Sequence, residues 1–337
     1  MGRAGFEPAT RGLKAPCSNL AELPAPATKG TRSASIGDVA RRAVVIALGF
    51  ALMACSSSPS SGPAPSGDLT AGTSQAPVPA GVPSPYEALP SSAVGLADRL
   101  TRTTTDLDAA IAEWRSGGGL DSWPPPEEVV LLALDQQRIY QVLAGRKALR
   151  RRTVARVPRA LREQARDLAA AGARLAAGSR PVTRTPRLDT AEPLPPDVLR
   201  AHYDEAEARF GVGWEILAAV HFIETRFGRV VSNSSAGAQG PMQFIPSTWK
   251  AYGLGGNVHD PRDAILGAAN YLSASGAPEQ ERMALLAYNP VDYYADAVAL
   301  YSRQLRRDPD TFYAFYNWQV FVRTPEGDLK RLTGPAL

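Results

Sequence analysis

One stretch of sequence decides the fold of the C-terminal half: GWEILAAVHFIETRFG, residues 213–228. Its apolar residues recur with helical spacing, and we expect an α-helix that is closed by Gly228. At 100° per residue, Glu224 lies in the middle of the apolar stripe, between Leu217 and Val220. Glu215 lies on the opposite, polar face of the same predicted helix.

Glu224 therefore occupies a position where a carboxylate is costly to ionise. Apolar surroundings disfavour the charged form, and so does the negative end of the helix dipole in the last turn. Both effects raise the pKa of Glu224. A carboxylic acid that is still protonated near neutral pH can act as the general acid that cleaves an acetal. A core glutamate paired with an arginine from elsewhere is the alternative at this point.

The next segment, SSAGAQGPMQFIPSTW at residues 234–249, has the composition of a sugar-binding loop. Its glycines allow the backbone to approach a ligand closely. Ser234 and Gln243 offer neutral hydrogen bonds, and Met242 and Phe244 offer apolar contact. This combination favours a carbohydrate ligand.

Further helices are expected after this loop. One is capped by Asp260 and Asp263, for which a calcium loop with Asn257 is the alternative interpretation. Another helix ends at Ala287-Tyr288-Asn289. Tyr293, Ala297, Leu300 and Tyr301 are expected to lie along the last helix.

Three motifs taken together resemble the lytic transglycosylases, which are related to goose-type lysozyme. They are Ile223-Glu224-Thr225, the run from Ala236 to Pro246, and Ala287-Tyr288-Asn289, and the resemblance covers about residues 197–305. It implies a lysozyme-like fold and cleavage of the glycan strands of peptidoglycan. Pro290 departs from the soluble enzymes of the family, so the loop after Asn289 is expected to differ.

The resemblance also implies roles for individual residues. Glu224 would be the only acid and base, and Ser234 would bind an N-acetyl group. Gln243, Tyr288 and Asn289 would line the cleft, and the products would carry 1,6-anhydroMurNAc ends. No cofactor or metal is implied, and the substrate's own acetamido group replaces a second carboxylate. Two alternatives stay open: a goose-type muramidase that uses water, and a catalytically silent glycan-binding lipoprotein that scaffolds other cell-wall enzymes.

The N-terminal region predicts export. Arg41-Arg42 precedes twelve uncharged, mostly apolar residues, which is typical of a secretory signal. Leu52-Met53-Ala54-Cys55 resembles the lipobox of bacterial lipoproteins, so we expect a lipid at Cys55 and a location at the outer face of the cytoplasmic membrane. Residues 1–54 form the leader, and Ser-, Pro- and Gly-rich residues 55–85 form a tether.

Residues 1–38 fit no targeting pattern. Gly5 to Thr10 resembles the conceptual translation of a transfer-RNA gene, so the true translation start is expected near Val39, with a real extended leader as the alternative. The net charge of +4 comes entirely from residues 1–54, which hold seven Lys and Arg against three Asp and Glu. A nucleic-acid partner is therefore not indicated.

Residues 86–178 are predicted to be a helical region. One helix carries Leu96 to Ile111, a second begins after Pro124-Pro125-Pro126, and a third begins near Pro158. Residues 146–190 hold thirteen Lys and Arg against three Asp and Glu. A solvated helix face is one interpretation, and docking on an anionic wall polymer or on lipid headgroups is the other. Prolines at 179–196 indicate a linker, so we expect residues 191–337 to act without the upstream helices.

The remaining features are interpreted as structural. His221 lies one helical turn before Glu224, but His202 and His259 lack metal-ligand spacing to it, so a packed neutral histidine is favoured over a metal ligand. Residues 311–337 contain two short β-type segments around a Pro-Glu-Gly-Asp turn, which predicts a hairpin. The sequence therefore predicts a mainly α protein: leader, tether, helical region, linker, a lysozyme-like domain at 197–310, and a β-hairpin tail.

Overall fold

A computed structural model describes residues 81–117, 123–179 and 181–335 of the chain. Over these ranges the chain forms eleven α-helices and one two-stranded antiparallel sheet. The elements are α1 (Ala93–Ser116), α2 (Glu127–Gly145), α3 (Lys147–Val154), α4 (Arg159–Gly178), α5 (Pro196–Phe210), α6 (Trp214–Thr225), α7 (Pro246–Tyr252), α8 (Pro261–Ala274), α9 (Glu281–Tyr288), α10 (Asp292–Arg307), α11 (Thr311–Tyr316), β1 (Phe321–Arg323) and β2 (Leu329–Arg331). The predicted mainly α class with a small C-terminal hairpin is confirmed. None of the described helices is long and apolar enough to cross a bilayer.

The upstream helices form where the sequence pattern places them. The side chain of Ser92 accepts a hydrogen bond from the backbone N–H of Gly95 at 3.0 Å and so caps the start of α1. The apolar face of α1, which includes Leu96 and Leu107, is buried. Helix α2 begins directly after Pro126, whose fixed φ suits the entry to a helix. Helix α2 packs between α1 and α4.

Helix α4 lies along α10, and this contact joins the upstream helices to the C-terminal half. The guanidinium of Arg303 on α10 donates to both carboxylate oxygens of the buried Asp167 on α4, at 2.9 and 2.8 Å. One hydrophobic core extends from Leu96 to Trp318. A fragment of residues 191–337 would expose the α10 side of this contact, and the activity of such a fragment stays a prediction.

The proline-rich segment 179–196 contains no helix before α5, but it is docked on the C-terminal half. Thr190 forms an antiparallel β-bridge with Val230. Leu188 packs against Ala238, inside the loop that was predicted to bind sugar. This segment therefore runs alongside the candidate site.

The C-terminal residues 311–337 contain a helix as well as the predicted hairpin. Phe312 and Phe315, three residues apart, lie on the buried side of α11. In the hairpin, β1 and β2 pair antiparallel, with Val322 opposite Lys330. The expectation of a β-type tail from residue 311 is thus corrected for 311–316, where the aromatic side chains complete the helical core.

Candidate active site

Helix α6 is the central helix of the candidate site, and its side chains are buried except for two glutamates, which are partly exposed. Phe222 stacks on Phe315 with ring centroids 5.0 Å apart, which fixes α6 against α11. Glu215 lies 4.0 Å from the guanidinium of Arg306, away from Glu224. The predicted separation of the two glutamates onto different faces agrees with this arrangement.

The end of α6 differs from the prediction. The helix is closed by Arg226, whose φ is 55°, and Phe227 follows at 61°, before Gly228 at 88°. A left-handed conformation costs a residue with a side chain about 1–2 kcal/mol. Burial of the Phe227 ring and contact of the Arg226 guanidinium with the Phe222 ring, 4.1 Å from its centroid, offset this strain.

Thr225 fastens the strained turn to the sugar-loop candidate. Its hydroxyl donates to the carbonyl oxygen of Pro241 at 2.6 Å and accepts from the N–H of Gly228 at 3.0 Å. The loop itself requires glycine at position 240, where φ is 71° and a Cβ atom would lie 1.8 Å from the carbonyl oxygen of Val258. Glu224 and the loop are therefore held together by the residue that follows Glu224.

The carboxyl of Glu224 has the environment that the sequence predicted. Burial raises its pKa to about 8, and a hydrogen bond from Tyr294 acts in the opposite, smaller direction. The Tyr294 hydroxyl donates to Glu224 Oε1 at 2.6 Å. Burial also raises the pKa of Tyr294 well above its ordinary value, so its hydroxyl keeps the proton that it donates.

Tyr294 was not among the predicted site residues. The residues that were expected along the last helix began with Tyr293, whereas the buried face of α10 carries Tyr294, Val298, Tyr301 and Leu305. The spacing of these four residues follows one helical stripe. Counting that stripe from Tyr294 instead of Tyr293 would have placed Tyr294 in the core, although not against Glu224.

Tyr288 connects α9 to the sugar-loop candidate. Its hydroxyl donates to the carbonyl oxygen of Met242 at 2.6 Å. Burial raises the pKa of Tyr288, and the negative charge of Glu224 adds to this increase, which places the two side chains near each other. The structure therefore brings Tyr288 close to Met242 and Glu224, and a role of Tyr288 in lining a glycan cleft stays a prediction.

Gln243 and Asn289 follow directly after the two partners of this hydrogen bond. Gln243 has a φ of 52°, and its Nε2 donates to the carbonyl oxygen of Gly240 at 2.9 Å. The Gln243 Oε1 and Asn289 Oδ1 atoms are buried and accept no hydrogen bond from the described residues. Buried acceptors are normally paired, so these two amides are suited to receive N–H or O–H groups of a ligand.

The other predicted binding residues have structural contacts. Ser234 is buried, and its hydroxyl oxygen accepts from the N–H groups of Ala236 and Ala238 at 3.2 and 2.9 Å, which organises the loop. Met242 and Phe244 are 0% and 3% exposed, so both side chains belong to the core. Contact of these three residues with a saccharide stays a prediction.

The candidate metal ligands have other hydrogen-bond partners. His221 is buried with Nδ1 2.8 Å from the Tyr203 hydroxyl, and burial lowers its pKa to about 3, which keeps the imidazole neutral. Asp260 accepts from the N–H of Asp263 at 2.9 Å and caps α8. Within the described ranges, no three His, Cys, Asp or Glu side chains are grouped as a metal site would require. Cys55, the leader and the tether up to residue 80 lie outside the described residues.

Comparison with known proteins agrees with the resemblance. Residues 202–292 match the family described as Transglycosylase SLT domain. Membrane-bound lytic murein transglycosylase F of Thiobacillus denitrificans (strain ATCC 25259 / T1) is 31% identical over 99 residues, which are 27% of this chain and 21% of that protein. The chain therefore spans about a fifth of the length of this relative. No solved structure matches the chain. The predicted similarity to lytic transglycosylases is confirmed.

Proposed function

We propose that this chain, which carries a transglycosylase SLT domain at residues 202–292, is a peptidoglycan lytic transglycosylase with Glu224 as its single acid and base. The observation that carries the proposal is the position of the Glu224 carboxyl at the end of α6, where it accepts a hydrogen bond of 2.6 Å from Tyr294 and where burial raises its pKa to about 8. A carboxyl group in this state can protonate a glycosidic oxygen at neutral pH.

The first step is general-acid cleavage of the β-1,4 bond between MurNAc and GlcNAc. Tyr294 donates to Glu224 Oε1, so the carboxyl proton lies on Oε2, and Oε2 transfers it to the bridging oxygen. The bond between C1 of MurNAc and this oxygen breaks, and GlcNAc leaves with a free 4-hydroxyl group. The acetamido group of MurNAc stabilises the oxocarbenium-like C1, which removes the need for a second carboxylate.

The second step closes a ring on the same sugar. Glu224 is now a carboxylate and takes the proton from the C6 hydroxyl of MurNAc as the C6 oxygen attacks C1. A 1,6-anhydro bond forms, Glu224 is protonated again, and no water is consumed. The hydrogen bond from Tyr294 stabilises the carboxylate between the two steps because a hydrogen bond to a charged acceptor is stronger than one to a neutral acceptor.

The amides and hydroxyls around Glu224 are proposed to hold the saccharide. The free acceptors of Gln243 and Asn289 would receive sugar hydroxyl or acetamido N–H groups. Ser234 already accepts two backbone hydrogen bonds, so its hydroxyl hydrogen is what it would offer to an N-acetyl carbonyl. Tyr288 would position this arrangement through Met242 rather than through the sugar.

Mass spectrometry of muropeptides released from purified sacculi tests the reaction. The expected products carry 1,6-anhydroMurNAc ends, which are one water lighter than the reducing ends made by hydrolysis. Reducing MurNAc ends would instead identify a muramidase that uses the same acid. Binding to sacculi without any released product would identify the catalytically silent glycan-binding alternative.

We also propose that the protein is exported and held at the membrane through a lipid on Cys55. The basic pair Arg41-Arg42, the apolar stretch after it and Leu52-Met53-Ala54-Cys55 support this proposal. The relative from Thiobacillus denitrificans is named as a membrane-bound enzyme, which agrees with an envelope location. Replacing Cys55 by Ser should release the protein from membranes or leave its precursor uncleaved. Unchanged processing and membrane fractionation of Cys55→Ser would contradict the anchor.

A further inference from the structure

The upstream region presents one strongly cationic surface, which we call the basic face. It consists of five side chains of α3 and of the first half of α4 that line one hollow: Lys147, Arg150, Arg151, Arg162 and Arg166. Between residues 146 and 166 the only acidic residue is Glu163. The candidate active site uses none of these residues.

The acidic residues of α4 are directed away from the basic face. Glu163 lies 3.1 Å from Arg307 of α10. Asp167 accepts from Arg303 at 2.8 Å and from Arg307 at 3.3 Å. In the described part of the chain, no member of the basic face forms an ion pair with a carboxylate. The positive charge of this surface is therefore uncompensated, which a merely solvated helix face with mixed charges would not show.

The basic face surrounds a hollow of about 660 Å³. Lys147, Arg150, Arg151, Arg162 and Arg166 line the hollow together with alanine and valine side chains. This volume lies within the range of small-ligand sites. A polar headgroup could occupy it between the cations, over an apolar floor.

Two of the lining arginines are fixed and three cations are available. Arg150 Nη1 donates to the carbonyl oxygens of Leu143 and Ala144, both at 3.0 Å, at the end of α2. Arg162 Nε donates to the carbonyl oxygen of Val157 at 3.0 Å. Lys147, Arg151 and Arg166 are exposed and donate no side-chain hydrogen bond to the described residues, so their donors are free for phosphate oxygens.

We infer that the basic face docks on the anionic phospholipid headgroups of a bilayer. Exposed Arg152, Arg156 and Arg159 add three cations to the same stretch of chain, and so many cations suit a surface of many phosphates better than one linear polymer. A Lys or Arg near an anionic membrane contributes about 1 kcal/mol, which is roughly a fivefold change in partition per residue. This inference is independent of the reaction proposed above, and it adds a folded contact to the proposed lipid anchor.

Vesicle partition tests this inference without requiring turnover. The protein is the full chain with Cys55→Ser, so that no acyl group can be attached. Its partition is measured on vesicles of phosphatidylcholine with phosphatidylglycerol and on pure phosphatidylcholine, at low and at high sodium chloride. The apolar stretch 43–54 is common to all variants, and the pure phosphatidylcholine vesicles report its contribution.

The test variant is Lys147→Gln/Arg151→Gln/Arg166→Gln, and the matched control is Arg209→Gln/Lys250→Gln/Lys330→Gln. The control removes the same three charges from exposed positions on other surfaces. We expect partition on the anionic vesicles to fall about 100-fold in the test variant. It should stay within a few-fold of the parent in the control, and high salt should weaken the binding of the parent. Circular dichroism confirms the fold of each variant.

Three results would overturn the inference. They are absent or salt-insensitive binding to anionic vesicles, equal losses in the test and control variants, and retained binding in the test variant. A fourth overturning result is tighter binding of the parent to soluble polyphosphate than to anionic vesicles, since it would assign the basic face to a phosphate polymer. Activity on sacculi plays no part in any of these outcomes, so failure of the proposed reaction would be seen separately.

Discussion

Two buried regions of the molecule differ in how the carboxylate and amide oxygens of their side chains are paired. In the upstream helices, every buried polar atom of Asp135 has a partner: Arg99 donates to it at 2.9 and 3.1 Å, and Thr103 donates at 2.8 Å. Gln137 exchanges hydrogen bonds of 2.8 and 2.7 Å with the backbone of Gln319. These side chains are satisfied within the fold, and they connect its elements.

In the candidate site, two amide oxygens are left without a partner. Gln243 Oε1 and Asn289 Oδ1 accept no hydrogen bond from the described residues, at a cost of about 1–3 kcal/mol for each buried group. The described non-glycine residues with positive φ also fall in this part of the chain: Arg226, Phe227, Gln243 and Leu254. Strained backbone and unpaired buried groups cluster at functional sites, so this difference supports the proposed location of the active site.

The largest effect should come from Glu224→Gln. The amide preserves shape and hydrogen bonding but cannot donate the proton, and a positioned acid contributes roughly 10²–10⁴-fold in rate. Because one carboxyl serves both steps, the loss should reach the upper end of that range or beyond. Release of anhydromuropeptides from sacculi measures it.

Glu215→Gln is the matched control, because Glu215 is the other glutamate of α6 and contacts Arg306 instead of the site. It should be nearly silent in the same assay. Near-normal turnover in Glu224→Gln would show that Glu224 is not the acid. The unpaired amide oxygens and the strained residues would then not mark an active site.

Replacing a buried polar residue of the upstream region should lower the free energy of unfolding rather than the activity. Asp135→Ala leaves Arg99 without its buried partner, and breaking such a pair costs about 3–5 kcal/mol. We expect a marked fall in the denaturation midpoint, with unchanged turnover per folded molecule. Asp98→Ala, at an exposed position of the neighbouring helix, should change the midpoint little. A loss of turnover in folded Asp135→Ala would mean that the upstream region takes part in catalysis.

Tyr294→Phe should have an intermediate effect and a distinctive pH signature. A hydrogen bond to a charged group contributes about 1.5–3 kcal/mol, so kcat should fall roughly 10- to 150-fold. The wild-type rate should decline as pH rises through about 8, where Glu224 loses its proton. Since the Tyr294 hydrogen bond lowers the pKa of Glu224, its removal should move that alkaline limb to higher pH.

Tyr293→Phe is the control for this variant. The Tyr293 hydroxyl lies 3.4 Å from the carbonyl oxygen of Gly178, on the side of α10 that faces α4. It should leave the pH profile in place. A lower rate in Tyr294→Phe with an unmoved alkaline limb would show that Tyr294 supports the fold but does not tune Glu224.

The sequence predicted the site wherever a residue type conflicted with its surroundings. Glu224 stood out because an ionisable group lay in an apolar stripe. Tyr294 did not, because a tyrosine suits an apolar stripe and its hydroxyl partner is set only when α10 packs on α6. The end of α6 at Arg226 could not be predicted either. Gly228 adopts a left-handed conformation with less strain, and the contact of Arg226 with Phe222 that offsets the strain forms only in the folded helix.

The segments that connect the helices could be predicted only where their structure depends on neighbouring residues in the sequence. The hairpin was predictable because the turn residues 325–328 specify a local reversal of the chain. The docking of segment 179–196 was not, because Leu188 and the bridge from Thr190 to Val230 follow no local period. Prolines indicate that a segment is not helical, but they do not indicate which residues the extended backbone packs against.

The sharpest test of the buried acid is the pH dependence of stability, which changes in small steps between neighbouring pH values. Folding raises the pKa of Glu224 from its ordinary value of 4.5 to about 8, so between these values the folded state binds the proton that the unfolded state has released. Stability contributed by this group is complete below about pH 4.5 and is lost as pH rises toward 8, by at most about 1.4 kcal/mol per pH unit. Glu224→Gln lacks this dependence. The free energy of unfolding of wild type minus that of Glu224→Gln, from urea titrations at pH 5, 6 and 7, should therefore fall steadily, while His221 and the other titrating groups cancel in the difference. A difference that stays flat with pH would mean that Glu224 ionises normally in the folded protein and cannot be the reservoir of the catalytic proton.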